Sequence, residues 1–246
     1  MRLITLNMWC GKLSDKIIDF ARANSPSTDV FCFQEVLDNP RGVKSVGMPD
    51  GTEDIIARVK EALPDFNSHV AIPQTNERGL ATFIRKELEV QKVEDQYVYG
   101  GRETMVNNSW NTIGINTLMT RVVKEGNAYS IWNLHGKFVN LDKKDYPETI
   151  AQSNNLKKFI QSEQGKRILC GDLNLAPDTE SIGILERIPL RNLVREYGIT
   201  STRTEYFKFP EKFADYIMPS SEVVVKDFRV LEDVVSDHYP LLLDCK

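Results

Sequence analysis

The amino-acid sequence predicts an α/β domain, and three observations carry that prediction. Apolar runs of strand length recur from one end of the chain to the other, and helical apolar spacing separates several of them. No Pro- or Ser-rich linker, low-complexity tract or repeat at solenoid spacing divides the chain. At 246 residues it accommodates one domain spanning 1–246, because single large sheets exceed the usual ~100–200 residues per domain.

Taken in order, "RLITLNMW" predicts a first strand. Ile17, Ile18 and Ala21 behind Ser14 predict an amphipathic helix, and "DVFCFQE" a second strand. After a long polar loop over 37–54, Ile55, Ile56, Val59 and Leu63 behind Thr52 predict another helix, and "GLATFIRK" a strand. A second polar loop over 99–112 precedes the strands "IGINTLMTRV" and "AYSIWNLHG". Ile150, Leu156, Phe159 and Ile160 place a helix over 147–163. "RILCGDLN", "KFADYIM", "VVVKDFRVL" and "PLLLDC" complete the strands. Loops as long as 37–54 and 99–112 read equally well as surface insertions or as borders of a substrate groove.

Hydrophobic content of 41% and charged content of 27% are those of a globular protein rather than a disordered or fibrous one. The formal charge of −4 gives no global attraction to polyanions, so any nucleic-acid contact requires a local basic patch. The apolar run at the N-terminus lacks the length and cleavage site of a secretory signal, and no segment reaches the ~20 apolar residues of a membrane helix. Cys10, Cys32, Cys170 and Cys245 each lie in or beside an apolar run, which predicts buried free thiols. A cytoplasmic monomer is the resulting expectation.

In run after run, an apolar stretch ends in a polar group: Asn7, Gln34 and Glu35, His135, Asp172 and Asn174, Asp215, then Asp237 and His238. Singly, each has an ordinary structural reading as a loop cap, a bonded core histidine or an inward polar residue. Together they come from both halves of the chain, and buried carboxylates are costly unless paired or metal-bound. The set holds the parts for metal-assisted attack on phosphorus. Carboxylates and amides suit Mg²⁺, with Mn²⁺ as a substitute. Histidine beside aspartate suits proton transfer, and neutral Asn donates to phosphate oxygens. The competing signatures GxSxG, GxxxxGK[ST], HExxH and paired CxxC are absent.

In this order, "TLN", "QE", "NLH", "GDLN", "ADYIM" and "SDH" resemble the endonuclease/exonuclease/phosphatase superfamily, over essentially the whole chain. The resemblance implies a deoxyribonuclease-I-like, four-layer α/β sandwich of two mixed β-sheets flanked by helices. It implies Glu35 as principal metal ligand, with Asn7 and Asp237 in the same acidic cluster. Asp172 and Asn174 resemble the pair that positions the nucleophilic water and contacts the scissile phosphate. His238 resembles the essential histidine, oriented by Asp215, and His135 the phosphate-contacting group. Trp9 stands where abasic-site endonucleases of the superfamily carry an acidic residue, and His135 where they carry Tyr. Those departures align the chain with the branch of deoxyribonuclease-I-like nucleases, sphingomyelinases and inositol-phosphate phosphatases.

The expected activity is hydrolysis of phosphodiester bonds, with DNA or RNA as the first substrate. Inositol phosphates or sphingomyelin are the alternative, and a non-catalytic phosphate-binding module a third reading. Arg41, Lys44, Arg102, Lys137, Lys143, Lys144 and Arg203 can supply local positive charge, Lys137 foremost because it follows His135 by two places. Trp9, Trp110 and Tyr146 are candidate stacking platforms for a base, with Trp9 nearest to Asn7.

Overall fold

The computed structural model describes residues 1–38, 51–52, 54–72, 78–101 and 114–246. Most of both long loops, including Arg41, Lys44, Arg102 and Trp110, lies outside the described residues. The chain runs β1 (Arg2–Asn7), α1 (Ser14–Asn24), β2 (Val30–Val36), α2 (Ile55–Ala62), β3 (Phe66–Ala71), β4 (Gly79–Arg85), β5 (Glu89–Tyr99), β6 (Ile115–Lys124) and β7 (Asn127–His135). It continues through α3 (Pro147–Ser162), β8 (Lys166–Asp172), α4 (Glu180–Glu186), α5 (Leu193–Glu196), β9 (Asp215–Pro219), β10 (Val225–Val230) and β11 (Leu241–Cys245).

These strands form two mixed sheets, in the orders β10-β11-β1-β2-β4-β3 and β5-β6-β7-β8-β9. Each sheet is built around one parallel pair joined across a helix: β1 and β2 through α1, β7 and β8 through α3. All other pairings are antiparallel.

Strand alternation explains the layers. In β1, Leu3 joins a buried cluster containing Val30 and Cys32 of β2, Ile131 of β7, and Ile168 and Cys170 of β8. Ile4 and Leu6 point the other way, to Phe31 and Phe33 and to Ile17, Ile18, Ile55 and Val59 of α1 and α2. Leu156 and Ile160 of α3 complete the first cluster. Each such side chain contributes roughly 1.5–3 kcal/mol on burial. All four cysteines are buried free thiols, as expected.

The contact between the sheets turns polar near the strand ends. The Gln34 amide donates to Thr5 Oγ1 (2.9 Å) and to Asn133 Oδ1 (2.6 Å), linking the sheets directly. Asn133 Nδ2 donates in turn to the carbonyls of Phe33 and Ala81, both at 3.1 Å. Such a buried network is favourable only when its geometry is kept, so it ties the register of one sheet to the other.

The glycine of "GDLN" is required by the same close approach. Gly171 has φ +124°, and a Cβ there would lie 2.1 Å from the Leu134 carbonyl oxygen. Gly171→Ala is therefore expected to destabilise the fold by roughly 2–4 kcal/mol. A chemical-denaturation midpoint equal to that of the wild type would contradict this packing.

Two strands are absent from the sequence-based expectation, β3 and β5, and both are sheet edges. β5 reads "EVQKVEDQYVY", is largely half-exposed, and shifts register between Val90 and Lys92 and between Tyr97 and Tyr99. Charges and bulges protect an edge from further pairing, and they also blur the apolar alternation that marks a strand.

Candidate active site

Both parallel pairs point their C-terminal ends in one direction, and the register sets polar groups side by side. Asn7 pairs with Gln34, His135 with Asp172, and Asp172 with Asp215. Glu35 follows at a bulge, where pairing with β4 skips from Gln34 to Val36 and the backbone turns left-handed (φ 51°). A bulge re-aims its side chain, which is how a residue one place beyond the inward Gln34 also reaches the centre. Asn174 is left-handed too (φ 55°). Strained backbone of this kind clusters at functional sites.

Glu35 is gripped from several sides. Arg78 Nη1 donates to its Oε1 at 2.9 Å, the Cys10 thiol donates to Oε2 at 3.3 Å, and His135 Nε2 stands 3.5 Å from Oε1. Burial alone would raise its pKa, but Arg78, then His135 and His238, outweigh burial and bring it down to about 2. The Cys10 thiol, buried against that carboxylate, is pushed far up and stays protonated.

Asp172 Oδ2 accepts from Asn7 Nδ2 at 3.0 Å and lies 3.7 Å from His238 Nε2 and 3.9 Å from His135 Nε2. Its Oδ1 accepts the Asn174 backbone N–H at 2.8 Å. Despite burial, the two histidines, Lys143 and Arg203 hold its pKa well below the usual carboxylate range.

His238 Nδ1 faces both oxygens of Asp215, at 2.9 and 2.8 Å, and Thr202 Oγ1 donates to Asp215 Oδ2 at 3.0 Å. Arg203 Nη1 donates to His238 Nε2. A guanidinium is only a donor, so Nε2 is the acceptor nitrogen and Nδ1 carries the hydrogen given to Asp215. Burial opposes a charged imidazole, yet Asp215 leads the influences that leave the His238 pKa raised.

Asp237 accepts from Arg203 Nη1 at 3.3 Å and from Ser236 Oγ at 3.4 Å. Burial raises its pKa, against the pull of His238 and Arg203.

The structure thus brings together Asn7, Glu35, His135, Asp172, Asn174, Asp215, Asp237 and His238. It also places residues there that sequence reasoning ranked as surface charge or did not single out. Arg203 is 7% exposed and Lys143 3%, and Lys143 Nζ donates to Asn174 Oδ1. Arg78 and Cys10 complete the surroundings of Glu35. The signal available for Arg203 was its place ahead of the "ADYIM" strand; nothing in the sequence singled out Arg78.

The Lys137 backbone N–H donates to Gln152 Oε1 of α3, and its ammonium lies 5.8 Å from the Tyr99 ring. Tyr146 caps α3 and donates to Asp142. Trp9 sits at the rim, its backbone N–H donating to Asn7 Oδ1 at 2.9 Å.

Hard oxygen donors that stay ionised while buried are suited to a hard divalent cation. Donor atoms of Asp172, Asp215 and His238 lie within 4.8 Å of one another. Asp215, however, spends both oxygens on His238, which makes it an orienting group and leaves Glu35, Asp172 and Asn7 as the fitting donors. Among the described residues, no helix is long and apolar enough to cross a membrane.

The pattern of the Endonuclease/Exonuclease/phosphatase family matches residues 4–238. No curated protein matches the chain by sequence. Among solved structures, an endonuclease/exonuclease/phosphatase from Bacteroides vulgatus superposes with a TM-score of 0.78 at 16% identity, covering 100% of this chain and 98% of that one. A mannosyl-6-phosphatase from Bacteroides thetaiotaomicron gives 0.75 at 15% identity, covering 100% and 99%. D. rerio TDP2, complexed with a single-strand DNA product, gives 0.73 at 13% identity, covering 100% and 98%. At these identities the likeness is one of fold.

Proposed function

The chain belongs to the Endonuclease/Exonuclease/phosphatase family, whose members hydrolyse phosphate esters, and from that premise we propose that it is a Mg²⁺-dependent hydrolase of nucleic-acid phosphodiesters. The observation that carries the catalytic reading is the buried array in which Asp215 fixes His238, and His238 and His135 face Asp172 and Glu35.

Glu35 and Asn7, with Asp172 beside them, would hold the cation, and Asp237 lies close enough to add to the same negative field. When bound, that cation would supply charge stabilisation for the phosphate oxygens. Asp172 orients the attacking water, being fixed itself by the Asn7 amide and the Asn174 backbone. His238, held by Asp215 through Nδ1, exchanges a proton with the reacting oxygen through Nε2. His135 and the second N–H of the Asn174 amide, whose first is given to the Gly136 carbonyl at 2.9 Å, donate to the phosphate, where preorganised donors are most effective.

The two buried cations Arg203 and Lys143 favour one second reading, a terminal phosphate as substrate, and the superposed mannosyl-6-phosphatase makes a sugar phosphate a reasonable comparison. A parallel assay in Mg²⁺ and Mn²⁺ over single-stranded DNA, duplex DNA, RNA, sphingomyelin, inositol phosphates and mannose 6-phosphate separates the two. Fastest turnover on nucleic acid, abolished by EDTA and restored by Mg²⁺, is the expected result. Exclusive release of inorganic phosphate from monoesters would replace this substrate assignment, and turnover that survives exhaustive chelation would remove the metal.

A further inference from the structure

Two segments meet at the rim of the catalytic array. One follows β1: Trp9, Cys10 and Gly11 are consecutive left-handed residues (φ 49°, 53° and 72°), a costly backbone that holds the half-exposed indole beside Asn7. The other follows Arg203, the residue in contact with His238. Here Tyr206 comes to 5.9 Å from Trp9, ring centroid to ring centroid, with the planes inclined at 42°. Lys12 Nζ lies 4.3 Å from the Trp9 ring centroid. Lys16 Nζ donates to the Tyr206 hydroxyl at 3.4 Å. The nearby acidic Asp15 is taken up by Arg58 at 2.5 Å, so it does not neutralise these lysines. The aromatic strip continues from Phe207, packed under the Arg203 guanidinium at 4.1 Å, to Phe209, which is 46% exposed.

We propose that Trp9 and Tyr206 form a stacking platform for an unpaired nucleobase next to the scissile phosphate, with Lys12 and Lys16 pairing to the flanking phosphates; this rests on the nucleic-acid reading above. Aromatic rings with ammonium groups over them match a ligand that alternates π-faces and anions. A surface ammonium on a ring is held weakly. A base displaces it onto the adjoining phosphate, so both partners gain. In a protein of net charge −4, this is the kind of local patch that polyanion binding requires. Bases inside a duplex already have both faces stacked, so the platform selects single strands, and its tolerance of any base makes that selection independent of sequence.

The test measures anisotropy of a fluorescein-labelled oligothymidylate, of the same backbone carrying abasic spacers, and of a matched duplex, all in EDTA to prevent cleavage. Wild type, Trp9→Ala, Tyr206→Ala, and the rescuing Trp9→Phe and Tyr206→Phe are compared, with turnover of the oligothymidylate followed separately in Mg²⁺. Each alanine variant is expected to bind the oligothymidylate about 10-fold or more weakly, with the phenylalanine variants near wild type. The abasic backbone should bind weakly and alike to all five. Alanine variants as tight as a wild type that binds and cleaves the oligothymidylate overturn the platform and leave the nuclease reading standing. Duplex bound as tightly as single strand likewise overturns it. A wild type that neither binds nor cleaves the oligonucleotide, yet hydrolyses a phosphomonoester, overturns both.

Discussion

Replacing His238 with alanine is expected to lower kcat by roughly 10²–10⁴-fold, about 3–5 kcal/mol of lost transition-state stabilisation, with little change in KM. The size follows from how much of the surroundings exists to hold this one ring. Asp215 meets Nδ1 with both oxygens, Thr202 braces Asp215, and Arg203 sets Nε2 as the acceptor. None of these partners does the same work without the imidazole. The loss should appear in steady-state kinetics of whichever phosphate ester is turned over fastest, alongside a circular dichroism spectrum like that of the wild type. Near-normal kcat in a folded variant would remove His238 from the chemistry.

Glu35→Gln should be comparably damaging, for a different reason. Glutamine keeps the shape and can still accept from Arg78 Nη1, so the fold at the β2 bulge is retained. What disappears is the negative charge that Arg78, His135 and His238 keep ionised, with a pKa of about 2, in a buried place. Substituting partners that stand behind a metal ligand commonly costs roughly 10–100-fold in metal affinity, and losing a ligand should cost more. Calorimetric titration with Mn²⁺ is the check, together with melting temperature. The rise in Tm that metal gives the wild type should vanish in the variant, because only binding to the folded state produces it. An unchanged Mn²⁺ affinity would place the cation elsewhere.

Much of the fold was legible because its central strands are apolar runs bounded by turn residues, and its three longest helices carry regular apolar spacing. The buried polar cluster was legible for a related reason. A buried strand can afford a carboxylate at its end only for a purpose, so Glu35, Asp172 and Asp215 stand out against their neighbours. What stayed hidden depends on contacts distant in sequence. Arg203 and Lys143 look like ordinary surface cations until Asp237, His238 and Asn174, at least 31 residues away, bury them. Arg78 is invisible for the same reason, its partner Glu35 being 43 residues distant. Cys10 was correctly read as a buried thiol, but its position against Glu35 depends on a left-handed turn that no composition signals. The Trp9–Tyr206 pair joins segments nearly 200 residues apart, and only the folded sheets bring them to one rim.

In the proposed mechanism these residues act as one metal-dependent centre for phosphate-ester hydrolysis. Comparing kcat for His238→Ala, Glu35→Gln and the double variant in Mg²⁺ tests it most directly. Groups that act as a unit are strongly non-additive, so the double variant should be no slower than the slower single variant within error. Losses that multiply, with the double variant slower by the product of the two single effects, would mean that His238 and Glu35 serve independent steps and would contradict the account.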